Sequence, residues 1–226
     1  MQLRKWATLG LAAMLCIAAG KPAPQNWNVR VSVTPEGHHV LGNPAALVKL
    51  VEFVSYTCSH CAEFERRADS AMRLAYVAPG KLSVEVRNFV RDPVDLAVAL
   101  LTNCGPPQKF FLNHTAFLRS QDRWIDTLAT ASAAQRARWQ HPDMPTRMRH
   151  IATDFRFYEI IATRGYSRQQ ADACLADGAE ARRLAEQTTA AQKLEITGTP
   201  SFMLNGTLLA GTHDWQTLDM QLRARF

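Results

Sequence analysis

Two cysteines three residues apart, Cys58 and Cys61, close the segment Glu52-Phe-Val-Ser-Tyr-Thr-Cys58-Ser-His-Cys61, where an apolar run gives way to a helical pattern. Side chains at i and i+3 share one face of a helical turn, so the two sulfurs can bond. Cys58 falls at the helix start, where free backbone N–H groups and the helix dipole stabilise an anion. The thiolate is the reactive form of cysteine, so Cys58 is placed to attack and be attacked, with Cys61 resolving. His60 can lie near the Cys58 sulfur, and its positive charge would favour the thiolate by about 1.4 kcal/mol per pKa unit. Stabilising the reduced pair turns its disulfide into an electron acceptor.

Structural thiols and half of a zinc site are the competing readings. Zinc needs two further ligands at a recognisable spacing, and the chain has no second Cys-x-x-Cys. His60, two residues from Cys58, points to another side of the turn. A purely structural bond closing so short a loop contributes little chain-entropy stabilisation. A redox pair needing no cofactor and no metal is the favoured reading.

The chain has 226 residues, 47% hydrophobic and 20% charged, enough for one well-buried core. Residues 1–20 read as a signal peptide: Arg4 and Lys5, an apolar run from Trp6 to Ala19, then small residues ending at Gly20. Leu15 before Cys16 stands where a lipoprotein signal has a small residue. Removal of residues 1–20 leaves 24 basic against 20 acidic side chains, a charge of +4. The basic residues are spread along the chain, and the densest stretch, Arg136 to Arg156, is broken by aromatics and prolines. That reads as a solvated helical face, not a nucleic-acid surface. Four cysteines then remain, and an export signal implies an oxidising compartment, periplasmic or otherwise exported, where disulfides persist. Pairing Cys58 with Cys61 leaves Cys104 and Cys174 to each other, or free.

Residues 21–39 read as a leader and first strand, with alternation over Trp27, Val29, Val31 and Val33. Thr34 to His39 and Gly42-Asn43-Pro44 read as turns. Leu47 to Val54 reads as a buried central strand, interrupted by Lys49 and Glu52. Cys61, Phe64, Ala68, Ala71, Met72 and Ala75 have helical spacing up to Pro79-Gly80, and Lys81 to Val90 alternates as a strand. A block of helices follows, about 92–177, with apolar stripes over Leu96–Leu101, Lys109–Leu118, Trp124–Gln135 and Phe155–Thr163. The aromatic stripe of Phe110, Phe111, His114 and Phe117 reads as core and not as a cofactor box. A helix over Ala179–Leu194, the Asn205-Gly206 hairpin and a final helix through Trp215, Leu218 and Leu222 complete an α/β core with a helical insertion.

Two motifs carry a family resemblance. Glu52 to Cys61 resembles the active-site segment of the DsbA-like thiol:disulfide oxidoreductases, and Gly198-Thr199-Pro200-Ser201-Phe202 resembles their cis-proline loop. The resemblance covers most of residues 40–226 and implies a thioredoxin fold with an inserted helical subdomain. By the same resemblance, Pro200 is cis beside the disulfide and the Thr199 backbone pairs with an extended substrate segment. Glu52 is a buried acid assisting proton transfer at Cys61, and Cys104 and Cys174 form a second, non-catalytic disulfide. The helical insertion shapes a groove for unfolded polypeptides.

The implied partners are newly exported cysteine-containing proteins and a membrane redox partner, and the implied state is a monomer. Ser59 departs from the proline that precedes histidine in the family's strongest oxidants, and Thr199 from valine. Both bear on the direction of electron flow, so an isomerase or reductase is the alternative enzyme. A thiol-based chaperone or soft-metal module for an ion such as Cu(I) is the alternative from another class.

Overall fold

The apolar run that ends at the cysteines is the middle of the sheet. The computed structural model describes residues 25–226, so the signal peptide expected over 1–20, with Cys16, lies outside the described residues. The strands are β1 (Val31–Val33), β2 (His39–Gly42), β3 (Val48–Val54), β4 (Leu82–Asn88), β5 (Ser201–Leu204) and β6 (Thr207–Leu208). Their order in the sheet is β1-β2-β4-β3-β5-β6. β3 pairs in parallel with β4, Val48 opposite Leu82 and Val54 opposite Asn88, and antiparallel with β5, Glu52 opposite Phe202. A parallel pair needs a crossover, and helix α1 (Ser59–Met72) supplies it. Cys61, Phe64, Ala68 and Met72 form its buried stripe. β5 and β6 turn at Asn205 and Gly206, both at positive φ (49° and 84°), the conformation that this dipeptide favours.

Alternation along β3 sends residues to opposite faces of the sheet. Leu50 and Val54 join the large core with Phe64, Ala68 and Met72 of α1. Phe53 packs on the other side with Phe89, Ala191 and Ile196.

Two readings of the first segment are corrected. Trp27–Val29 is a 3-10 turn and not strand, because the Asn26 side chain accepts from the Asn28 N–H at 3.1 Å and bends the chain. His39–Gly42, read as loop, is the strand joining β1 to β4, and it crosses the 39/40 boundary drawn from sequence. His38 and His39 look like turn residues, yet both are buried, and His39 stacks flat on Phe110 at 4.0 Å.

Between β4 and the long helix that returns to β5 lie α2 (Pro93–Thr102), α3 (Phe110–Arg119), α4 (Thr127–Thr130), α5 (Ala133–Arg138), α6 (Met144–Asp154), α7 (Phe157–Ala162) and α8 (Arg168–Leu175). The returning helix is α9 (Gly178–Lys193), and α10 (Trp215–Arg223) ends the fold. The single helix expected over Trp124–Gln135 is instead two short ones, since Ser132 starts α5 with a capping box to Gln135. α6 stops where Arg156 takes a left-handed φ of 59°, and α7 begins after it. Cys104, just past α2, is bonded to Cys174 in α8, so a disulfide joins the two ends of the block. Among the described residues no helix is long and apolar enough to cross a membrane. The result is a thioredoxin fold with an inserted helical subdomain.

Candidate active site

Cys58 is the N-cap of α1, in extended backbone (φ −92°, ψ 118°), with Cys61 in the first turn. Both are buried free thiols, Cys58 6% exposed and Cys61 fully enclosed. The Thr199–Pro200 peptide bond is cis, and its loop lies against Cys58: the Cys58 Sγ–H donates to the Thr199 carbonyl at 3.1 Å. Thr199 Oγ1 is buried and has no other partner, so it can turn a donor to the sulfur once the thiol proton leaves. The loop is tied by Ser201, whose hydroxyl donates to the Gly198 carbonyl at 2.8 Å. His213, a residue that sequence reading passed over, holds it too, with Nδ1 2.8 Å from the Pro200 carbonyl and therefore carrying the proton.

The two sulfurs differ sharply in acidity. Cys58 falls to about 4, chiefly because the Cys61 thiol donates to its thiolate, then through Thr199 and the backbone N–H groups of Cys61 and His60; burial opposes the fall. Burial drives Cys61 well above the ordinary thiol range, and the neighbouring Cys58 adds to the effect. The backbone N–H groups at the helix start add to a lowering that comes mainly from the Cys61 thiol. His60 enters it through its backbone N–H, while the imidazole lies exposed, lining a cavity of about 180 Å³ with Phe64, His213 and Trp215.

Glu52 lies on the α1 side of β3, only 3% exposed, and its Oε1 has no hydrogen-bond partner. Burial pushes its carboxyl well above the usual range, and the like charges of Glu65 and Asp69 add to this. Glu65 itself rises to about 7, mainly by burial. A cavity of about 10 Å³, room for a single water, separates Glu52 from Glu65, Asp69 and Arg73. His114 borders it too, 2% exposed and pushed by burial to about 3, so the ring is neutral and shares a 3.0 Å hydrogen bond with the Tyr56 hydroxyl. The core reading of His114 fits that setting.

A second set of side chains, not found from sequence, grips the turn before Cys58. Asp95, in the first turn of α2, accepts from the Tyr56 N–H at 2.8 Å and the Ser55 hydroxyl at 2.6 Å. Asp92, the N-cap of α2, accepts from the Thr57 hydroxyl at 2.7 Å. Gln121 donates through Nε2 to the carbonyls of Tyr56 at 2.7 Å and Cys58 at 3.0 Å. Asp92-Pro93 was legible as a helix start, but nothing local joins it, or Gln121, to Cys58. Among the described residues no three His, Cys, Asp or Glu side chains stand together as metal ligands.

The chain is similar to known proteins. A protein-disulfide isomerase of Novosphingobium aromaticivorans is 54% identical, with a TM-score of 0.80 over 83% of this chain and 96% of that one. Wolbachia pipientis alpha-DsbA1 shares the fold at 21% identity, TM-score 0.65, over 85% of this chain and 92% of its own. A candidate protein-disulfide oxidoreductase of Rickettsia bellii is 27% identical over 188 residues, 82% of this chain but 63% of the relative, so this chain spans less than two thirds of that protein's length. The thioredoxin family model matches residues 34–224, nearly all of the described chain. With the helix-start dithiol facing its cis-proline loop, this chain belongs to the thioredoxin family.

Proposed function

We propose that this protein is an exported thiol:disulfide oxidoreductase that donates a Cys58–Cys61 disulfide to thiol pairs of newly exported, unfolded polypeptides. The observation that carries this reading is the Cys58–Cys61 pair at the start of α1 against the cis Thr199–Pro200 loop, with Cys58 Sγ 3.1 Å from the Thr199 carbonyl. Cys58 lowered to about 4 and Cys61 raised by burial agree with it. A substrate thiolate attacks Cys58 Sγ, and the Cys58–Cys61 bond breaks with its electron pair leaving on Cys61, which takes up a proton. The substrate's second thiolate then attacks the substrate sulfur of the mixed disulfide, and Cys58 leaves as a thiolate. Two electrons pass from the substrate dithiol to the protein, which a membrane redox partner must later remove. A stable Cys58 thiolate favours the second departure and the reduced protein, hence outward donation.

In this scheme Glu52 supplies the proton that Cys61 takes up, as a carboxyl kept neutral by its surroundings. Thr199 and Pro200 align an extended substrate segment by main-chain pairing, and His60 lends its backbone N–H to the Cys58 thiolate. The protein works in the periplasm as a monomer. Glu52→Leu separates chemistry from stability. Removing a buried, unpartnered acid raises stability by roughly 1–3 kcal/mol. It also slows formation of the mixed disulfide by about tenfold or more. Stopped-flow kinetics beside a urea titration reads both, and a faster or unchanged reaction removes Glu52 from the chemistry.

The isomerase name of the 54% identical Novosphingobium chain favours isomerisation as the second reading. Equilibration against glutathione buffers decides between them. An oxidising potential, with donation to a dithiol peptide abolished in Cys58→Ala, supports donation. A potential as reducing as that of thioredoxins overturns it, and reshuffling of a scrambled disulfide protein by the reduced form then puts isomerisation first. Tight Cu(I) binding without thiol exchange overturns both and leaves a metal module.

A further inference from the structure

The turn that delivers Cys58 to the start of α1 is moulded from outside, and most of the mould belongs to the helical insertion. The peptide group of Tyr56 is held at both ends, its N–H by Asp95 at 2.8 Å and its carbonyl by Gln121 at 2.7 Å. The same Gln121 nitrogen reaches the Cys58 carbonyl at 3.0 Å. Both of its amide hydrogens are therefore spent on two carbonyls that straddle Thr57. Gln121 is 3% exposed, so neither bond competes freely with water.

Its mount is rigid. Gln121 opens the 3-10 turn that follows α3, and its own carbonyl accepts from the Trp124 and Ile125 N–H groups at 3.1 and 2.9 Å. Ser120 closes α3 beside it, donating from its hydroxyl to the Ala116 carbonyl at 2.7 Å. An amide on such a support acts as a fixed dipole.

The Cys58 carbonyl is where such a dipole matters. As an N-cap, Cys58 offers this oxygen to the first helical N–H, and the bond from Ala62 is long at 3.3 Å. Carbonyl and sulfur belong to one residue, so the oxygen's negative end opposes a thiolate nearby. The Gln121 N–H offsets that charge and keeps the backbone extended, with Sγ turned to the Thr199 carbonyl.

We infer that Gln121 is a positioning residue for the redox pair: acting through the Cys58 carbonyl, it sets the conformation of the catalytic turn and the stability of the Cys58 thiolate. The insertion then tunes the nucleophile as well as covering it.

The inference rests on Cys58 being the attacking sulfur, and alkylation tests it without any disulfide being transferred. Its failure would leave the proposed reaction untouched, while failed donation with a normal alkylation profile would overturn only that reaction. Gln121→Met keeps the length and loses both donors; Gln121→Asn keeps the amide but falls one methylene short of bridging. The pH dependence of iodoacetamide modification of the reduced protein, with thiolate absorbance at 240 nm, reads the Cys58 pKa. Gln121→Met is expected to raise it by about one unit, a tenfold loss of thiolate preference, and Gln121→Asn by less. Gln187 is a matched control, another buried glutamine that donates to a backbone carbonyl, Glu36 at 3.2 Å. Gln187→Met is expected to lower Tm and leave the profile in place. A Gln121 variant that loses Tm with an unmoved pH profile overturns the inference, and if Gln121→Met does not fold, Gln121→Asn decides alone.

Discussion

The reduced protein is expected to be more stable than the oxidised one at pH 7 and less stable at pH 4. The Cys58 thiol falls from its ordinary 9.0 to about 4 in the folded dithiol form. A group with a depressed folded pKa contributes stability that is complete above the unfolded pKa and lost as pH falls through the folded one. That window runs here from about pH 9 down to about pH 4. At pH 7 roughly three pKa units are in play, about 4 kcal/mol at 1.4 kcal/mol per unit. The disulfide has no thiolate and forgoes this contribution. It gains instead the entropy of closing a very short loop, about 2 kcal/mol in the chain-entropy model. The thiolate therefore wins at pH 7, and the two effects cancel at roughly pH 5 to 6. Urea titrations of both redox forms between pH 4 and pH 8 read the difference directly. Two parallel stability curves would mean that the Cys58 thiolate is not selectively stabilised by the fold.

Thermodynamics and direction of electron flow are one statement here. The free energy by which folding favours the reduced form over the oxidised one is the free energy by which the folded protein, relative to its unfolded chain, prefers to be reduced, and about 30 mV corresponds to each 1.4 kcal/mol. Every group that reaches the Cys58 sulfur or its carbonyl thus acts on the potential. Ser59 is exposed and has no hydrogen bond to the sulfur, whereas Thr199 presents a carbonyl at 3.1 Å and an unpartnered hydroxyl. Of the two positions that depart from the family's strongest oxidants, Thr199 has the direct physical means of tuning the pair.

Features set by local chemistry were the legible ones. Asn205-Gly206 forms its hairpin because both residues tolerate positive φ, and β3–α1–β4 follows from a period of two giving way to a period of 3.6. The helix-start position of Cys58 is local in the same sense, as are the Cys61 thiol and the backbone N–H groups that lower its pKa, whereas Thr199 is brought to the sulfur by the fold. Strand β2 was hidden because its buried His39 is stabilised by a partner more than seventy residues away, the Phe110 ring. Gln121 was hidden for a similar reason: Ser-Gln-Asp reads as an ordinary polar turn, and only tertiary folding brings it to Cys58. Glu52 was legible by resemblance alone, since the burial and the facing Glu65 and Asp69 that raise its pKa come from packing α1 on the sheet. The His60 side chain shows the limit of spacing. Two residues past Cys58, the ring is expected near the sulfur, whereas the residue is exposed and lines the cavity beside Phe64 and Trp215.

Breaking the Cys104–Cys174 bond is expected to cost about 4 kcal/mol of stability, among the largest losses open to a substitution outside the Cys58 site. The bond joins residues 70 apart, and a loop of that length has much entropy to regain in the unfolded chain. It also closes most of the insertion, from just past α2 to α8, so its loss unties α8 from the end of α2. Within that block Asn113 donates to the Tyr166 hydroxyl at 3.2 Å, and Tyr166 donates in turn to the Cys104 carbonyl, so hydrogen bonds still hold the Cys104 end to α3 when the disulfide is gone. Gln121 stands in the same block and reaches Cys58, yet its mount is the end of α3 and not the disulfide. The double variant Cys104→Ala with Cys174→Ala should therefore unfold at much lower urea while keeping the Cys58 alkylation profile at a temperature where it is folded. A shift of that profile in the folded variant would mean that the disulfide, through the insertion, helps to set the acidity of Cys58. An unchanged urea midpoint would mean that the unfolded chain is already ordered between residues 104 and 174, leaving the cross-link no entropy to remove.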